Sequence, residues 1–330
     1  MKMREQNKHM RLKDKTIVIT GASSGAGKAI ALEFALQQPY LVLAARNEKA
    51  LTEVAEECEE LGAKVKTIIT DVTDSSAMIR LAGEAQEFGG RIDIWVNNAG
   101  LLAAGTFDET PMAVHQQVIE TNLLGYMNGA HAVIPYFKKQ NAGVLINNIS
   151  IGGFLPVPFG VGYSASKFGL RGFSAALKAE LNDWPEIFVC DAFPAFLDTP
   201  GIQHAANYTG KMLKPAPPVY DPRRLAIAIV KLAERPQSEV MVGSISTFLR
   251  VTHSLFPGIT RGITAKVIRY YLNQADTIPK SDGNVFAPVK YGNAVYGGWG
   301  LPGRPKAHRK YIVASLLLAT AAGLLALGRK

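Results

Sequence analysis

The chain has 330 residues, 48% of them hydrophobic, two cysteines and a formal net charge of +9. That is apolar material for one large α/β domain or two smaller ones. Cys58 and Cys190 lie too far apart for a metal-ligand spacing, which makes two reduced structural thiols the default reading. Residues 1–15 carry six Lys/Arg against two acids, and residues 301–330 carry six against none, which leaves residues 16–300 close to neutral. A nucleic-acid binder would carry its positive charge on the folded body. Basic ends beside an apolar segment point instead to an anionic membrane surface.

The opening "MKMREQNKHMRLKDK" has charge without an apolar core, so residues 1–13 read as a basic arm and not as a signal peptide. Residues 16–20, "TIVIT", predict a strand that ends on glycine, followed by a helix over 25–37. The alternation continues with strand 40–44, helix 47–61, strand 65–69, helix 74–88 and strand 93–96. A long helix over 112–139, strand 143–149, helix 163–183 and strand 186–191 follow. A helix near 221–234 leads to a last strand at 239–243. Strand after helix at this rhythm predicts a doubly wound, parallel, seven-stranded sheet with right-handed crossovers.

After residue 243 the rhythm stops. Residues 246–273 predict helices broken near Pro257-Gly258, basic on one side and apolar on the other. They suit either an interfacial helix or a cap on a cleft. Residues 276–305 are rich in Gly, Pro and Asn and read as irregular. Residues 311–327, "YIVASLLLATAAGLLAL", are uncharged between basic flanks and span about 26 Å as a helix, the low edge for crossing a hydrocarbon core. A single-pass C-terminal anchor over 306–330, with the preceding domain cytoplasmic, is the expectation. An apolar helix docked in an interface is the alternative.

Two stretches carry chemistry. "TGASSGAG", residues 20–27, joins a strand to a helix, and its glycines Gly21, Gly25 and Gly27 let backbone N–H groups approach a pyrophosphate, while Ser23 and Ser24 are donors for a further phosphate beside Arg46. "YSASK" puts Tyr163 and Lys167 on one helix face, a phenol beside a cation that lowers its pKa. By itself that pair is uninformative, since eleven tyrosines give about 0.7 chance matches.

Together these stretches resemble the short-chain dehydrogenase/reductase family over about residues 14–243. Its TGxxxGxG is met at Thr20, Gly21, Gly25 and Gly27, its strand-end Asp at Asp71-Val72, and its NNAG at Asn97, Asn98, Ala99 and Gly100. Its helix asparagine is matched by Asn122, its serine by Ser150, and its Tyr-Lys pair by Tyr163 and Lys167. Two positions depart: Ala26 stands where Ile is usual, and Pro194-Ala195 replaces Pro-Gly in the loop that carries Thr199.

The resemblance implies an oxidoreductase in which Tyr163 is the general acid or base and Lys167 lowers its pKa and holds the ribose. Ser150 binds the substrate oxygen, and Asn122 holds a water that links Lys167 to solvent. It implies a cofactor contacted by the glycine turn, Asp71, Val72, Asn98, Ala99, Gly100, Pro194 and Thr199. The second strand ends "LAARN" without a carboxylate, so Arg46 points to a 2′-phosphate and hence to NADP(H).

Phe154, Leu155, Phe159 and Leu197 predict an apolar substrate pocket for a lipophilic carbonyl or alcohol. The expected partners are that small molecule, membrane lipid and a further copy of the chain, with no nucleic acid and no metal. The competing reading is a non-catalytic NADP-binding sensor or scaffold, disfavoured by the intact proton-transfer set.

Overall fold

The computed structural model describes residues 11–300. The expected anchor at 311–327 and most of the basic arm therefore lie outside the described residues. Among the described residues no helix is long and apolar enough to cross a membrane. Leu12, placed in the arm by sequence, is only 2% exposed and packs into the core.

The elements in chain order are β1 (Thr16–Thr20), α1 (Gly25–Ala35), β2 (Tyr40–Ala45), α2 (Glu48–Glu60), β3 (Lys64–Ile69), α3 (Ser75–Gly89) and β4 (Ile94–Asn97). Next come β5 (Ala103–Ala104), α4 (Met112–Ile119), α5 (Gly125–Gln140), β6 (Gly143–Asn148), α6 (Val161–Glu180) and β7 (Ile187–Pro194). The chain continues through β8 (Ala206–Asn207), α7 (Arg223–Glu234), β9 (Glu239–Val242), α8 (Ser244–Leu255) and α9 (Pro257–Gln274).

Seven strands form one parallel sheet in the order β3-β2-β1-β4-β6-β7-β9. The order reverses beside β1, where β1 pairs with β2 on one side and β4 on the other. In open α/β sheets a crevice opens at the carboxyl ends of the strands at such a point. One face buries Ile17, Ile19, Leu41 and Leu43 under α1, α2 and α7; the other buries Val18, Val42, Trp95 and Leu145 under α3, α5 and α6. The alternation of strand residues between the two faces explains why β1 is apolar at successive positions.

Helix starts follow their caps. Asn47 accepts from the Ala50 N–H, and Asp74 accepts from Ser76 and Ala77.

The predicted 112–139 helix is not continuous. A π-helical turn at Glu120–Leu124 separates α4 from α5 and leaves Asn122 fully buried. The helix predicted to reach 183 ends at 180 and tightens into a 3₁₀ turn over 181–183. No sequence pattern marks the small parallel pair β5–β8, since two alanines opposite Ala206-Asn207 carry no strand-length alternation.

Residues 276–300 are irregular, as expected, but they run back across the sheet's carboxyl edge. Isolated bridges join Asn207 to Ser281 and Lys211 to Thr277. The buried carboxylate of Asp198 accepts N–H bonds from Gly297, Trp299 and Gly300 at 3.1, 2.8 and 2.9 Å.

Candidate active site

The glycine turn leaves β1 and enters α1 with Gly25 at φ +53°, a left-handed conformation that side chains disfavour. A Cβ on Gly27 would sit 2.0 Å from the Gly21 carbonyl oxygen, so only glycine allows α1 to start this close to the strand end. Ser23 and Ser24 line the same space; Ser24 precedes α1 without a side-chain cap bond.

The NNAG loop is pinned to this turn. The Thr20 hydroxyl accepts from the N–H groups of Asn98 and Ala99 at 3.0 and 3.3 Å, and the Asn98 amide donates to the carbonyls of Thr20 and Gly21. Below it, Asn97 bonds Asn147, and Asn147 donates to Asp191, a buried polar chain that fixes the ends of β4, β6 and β7. Asp71 spends its carboxylate on the Thr73 N–H and hydroxyl at 2.9 and 2.8 Å, while the Val72 carbonyl accepts from Asn128.

These residues open on one cavity of about 1060 Å³, larger than an ordinary drug-sized site. Gly21, Gly25, Arg46, Asp71, Val72 and Gly100 line it. Ser150, Leu155, Phe159, Tyr163, Lys167 and Leu197 also line it, as do Pro194 and Thr199. Phe154 does not line it. Contrary to the sequence expectation, its ring packs on Phe193 at 4.6 Å and lies under the guanidinium groups of Arg171 and Arg250, which anchors the loop from behind.

Tyr163 and Lys167 sit in the first two turns of α6, with the Lys167 Nζ 5.7 Å from the Tyr163 ring centroid and 5.1 Å from that of Tyr126. Ser150 has φ +112°, strained for a side-chain-bearing residue, and its hydroxyl accepts from the Gly152 N–H at 3.1 Å. Burial pushes the Tyr163 phenol up, partly offset by a hydrogen bond with Ser150. Burial pushes the Lys167 ammonium down to about 7. The lowering of Tyr163 expected from its neighbour is therefore not met in the protein alone, because desolvation opposes both charged forms.

Asn122 stands behind the cavity. Its Oδ1 accepts from the Leu101 N–H at 2.7 Å, and its Nδ2 donates to the Leu101 carbonyl at 2.9 Å and to Ser166 at 3.2 Å. It therefore clamps the NNAG loop to α6. A Cβ at Gly100 would lie 3.4 Å from Asn122 Oδ1 and 3.9 Å from Lys167 Nζ, so both atoms border the same gap.

Arg46 lines the cavity with its guanidinium engaged. It donates to the carbonyls of Asn284 at 2.7 Å and Val285 at 3.4 Å. The neighbouring Asn47 donates to the Val289 carbonyl, and the Gly25 N–H donates to the Ala294 carbonyl at 3.0 Å. Asn284, Val289 and Asn293 thus join the site from residues that sequence reasoning left irregular. No periodic signal marks them, since the contacts run through backbone carbonyls. Ala195, where glycine is usual, keeps an ordinary φ, and its N–H pairs with Val242 at 2.9 Å.

The glycine cradle, the large cavity and Arg46 fit a dinucleotide. The family model for short chain dehydrogenases matches residues 15–208. An uncharacterized oxidoreductase of Bacillus subtilis, YxnA, is 32% identical over 271 residues, 81% of this chain and 75% of its own. The 3-ketodihydrosphingosine reductase of Bos taurus is 29% identical over 281 residues, 79% of this chain and 84% of its own. Among solved structures, an alcohol dehydrogenase of the archaeon Thermococcus sibiricus complexed with 5-hydroxy-NADP superimposes with a TM-score of 0.62 at 28% identity, covering 70% of this chain and 97% of its own. A metagenomic short-chain oxidoreductase in complex with NADP gives 0.61 at 27%, covering 71% and 98%. The chain belongs to the short-chain dehydrogenases and is an oxidoreductase working between CH–OH and C=O groups.

Proposed function

We infer that the protein reduces a lipophilic carbonyl compound with NADPH, or oxidises the matching alcohol with NADP⁺. The observation that carries this reading is one continuous cavity with the glycine turn and Arg46 among its walls and Ser150, Tyr163 and Lys167 beside apolar side chains. Solved relatives hold NADP or 5-hydroxy-NADP, and a curated relative is named for a keto substrate. Bound NADPH supplies the hydride that goes to the carbonyl carbon.

Tyr163 gives its hydroxyl proton to the carbonyl oxygen as general acid, or takes it back in the reverse direction. A phenol pushed up by burial is protonated at neutral pH, which suits the donor role. Ser150 orients the oxygen by a hydrogen bond. Lys167, balanced near 7, delivers the replacement proton and carries charge or loses it at little cost. Asn122 positions this pair and borders the gap through which a water reaches Lys167.

Leu155, Phe159, Leu197, Leu213, Val267 and Tyr271 give the cavity a mainly apolar lining, with Arg46, Asp71, Lys167 and Lys214 as its charged residues, and this apolar majority favours an extended apolar substrate. The tail at 311–327 is read as a single-pass anchor that keeps the catalytic part on the cytoplasmic side. A panel of long-chain ketones, aldehydes and short polar carbonyls, followed at the nicotinamide absorbance with NADPH and NADH, tests the assignment. Turnover should rise with apolar chain length and prefer NADPH. Turnover confined to short charged carbonyls, or a preference for NADH, would overturn it.

A further inference from the structure

Helices α8 and α9 carry an apolar row with nothing packed on it among the described residues. Val251, Leu255, Phe256, Ile259, Ile263 and Val267 follow one another at spacings of four, one, three, four and four, and each is between 49% and 66% exposed. Val251 and Leu255 share one face of α8, Ile259, Ile263 and Val267 share one face of α9, and Phe256 stands at the junction between the helices; an exposed apolar set of this size marks a binding face. No Asp or Glu occurs between Ser244 and Ala275, whereas Arg261, Lys266 and Arg269 are all exposed there. Arg250 is the basic residue already committed, to Glu239. An apolar set with exposed cations and no acid on the same helices complements an anionic lipid surface. A second copy of the chain would bring like charges together across the contact.

The row also leads into the cavity. Ile263, Val267 and Tyr270 are exposed and line its wall as well, next to Ile268 and Tyr271.

We propose that the α8–α9 face is a membrane-docking surface that lies in the headgroup region of an anionic leaflet and holds the cavity mouth against the lipid, so that an apolar substrate enters without crossing water. The source of substrate rests on the functional reading above; the docking does not.

The test uses the full chain, whose native cysteines are both buried. An environment-sensitive fluorophore is attached at Phe256→Cys, at Ile259→Cys or, as control, at Glu60→Cys. Glu60 is exposed on α2, beside the β3 edge, whereas α8 follows β9 at the opposite edge. Vesicles of phosphatidylcholine with phosphatidylserine should shift emission at 256 and 259 to the blue, with an intensity gain of about twofold or more, and bromolipids should quench it. Position 60 should not respond, and pure phosphatidylcholine should give a smaller shift.

Cosedimentation of the protein with vesicles while 256 and 259 stay unchanged would overturn the proposal, because the tail alone would then hold the protein. A label already blue-shifted before lipid is added would also overturn it, by showing the face covered by another copy or by residues 311–327. In the second arm, Phe256→Glu/Ile259→Glu should reduce turnover of a vesicle-dissolved ketone about tenfold, with turnover of a water-soluble carbonyl within about twofold. Both residues lie outside the cavity wall. A loss of lipid response with equal turnover of both substrates would separate docking from substrate entry and overturn the entry route.

Discussion

Strand β1 and the segment after α9 both reach the glycine turn, and they hold it by different means. β1 lies between β2 and β4 with its whole length paired and buried. Its position follows from a run of β-branched residues that can be read locally. The later segment has isolated bridges, offers carbonyls to Arg46, Asn47 and Gly25, gives three N–H groups to Asp198, and adds scattered bonds such as Tyr296 to Asp221 and Asn284 to His204. A ladder distributes its stability over many equivalent bonds, whereas the strap is tied at scattered points, of which Arg46 and Asp198 supply the charged ones. Single substitutions should therefore leave the first region standing and loosen the second locally.

Tyr163→Phe gives the sharpest contrast. Removing the hydroxyl from a packed ring should cost about a thousandfold or more in turnover while NADPH still binds and the protein melts as before. Turnover within threefold of the parent, measured by nicotinamide absorbance, would remove Tyr163 from the acid/base role.

Asp198→Ala tests the other region. Three N–H bonds to one buried carboxylate are lost, so the strap should loosen and faster amide exchange should appear over 294–300. The sheet should keep its protection. Loss of protection across β1 and β4 as well would show that the two regions fold as one unit and break the comparison.

Arg46→Asp lies where the regions meet. NADPH affinity should fall by about 2 kcal/mol, roughly thirtyfold, and NADH affinity by much less, as read by titration calorimetry. Equal losses for both cofactors would mean that Arg46 serves the strap carbonyls and does not read the phosphate.

The smallest effect is on the empty protein. Lys167 is held near 7 against an ordinary value near 10.5, so the unfolded chain binds the extra proton between those pH values. Its burial penalty is complete below about pH 7 and fades as pH rises toward 10.5. Lys167→Met should therefore melt a few degrees higher than the parent at pH 7, with the gap closing as pH rises. A gap that widens with pH would contradict the assigned shift.

Sequence reading placed the seven strands to within a few residues, because alternation, caps and turn glycines act over short distances. The residues Asn122, Ser150, Tyr163 and Lys167 could be singled out by their sequence neighbours; the structure puts Ser150, Tyr163 and Lys167 on the cavity wall and bonds Asn122 to Leu101 behind it. The π-helical turn around Asn122 was not, since the periodicity of 112–139 continues smoothly through it. Phe154 misled because an apolar residue in a loop looks the same whether it faces a cavity or, as here, Phe193 and two guanidiniums. The strap was illegible because it offers backbone carbonyls and N–H groups to partners far away in the chain.

That remoteness bears on biosynthesis. Arg46 meets Val285 across 239 positions of sequence and Asn284 across 238. Contacts of such separation form late, after the loop entropy between them has been overcome. On a ribosome the sheet can assemble while residues after 275 are still being added. A nascent or prematurely terminated chain would thus possess every motif residue and an uncovered groove. Quality control that senses only the sheet would pass such a product, whereas one that senses cofactor retention would distinguish it.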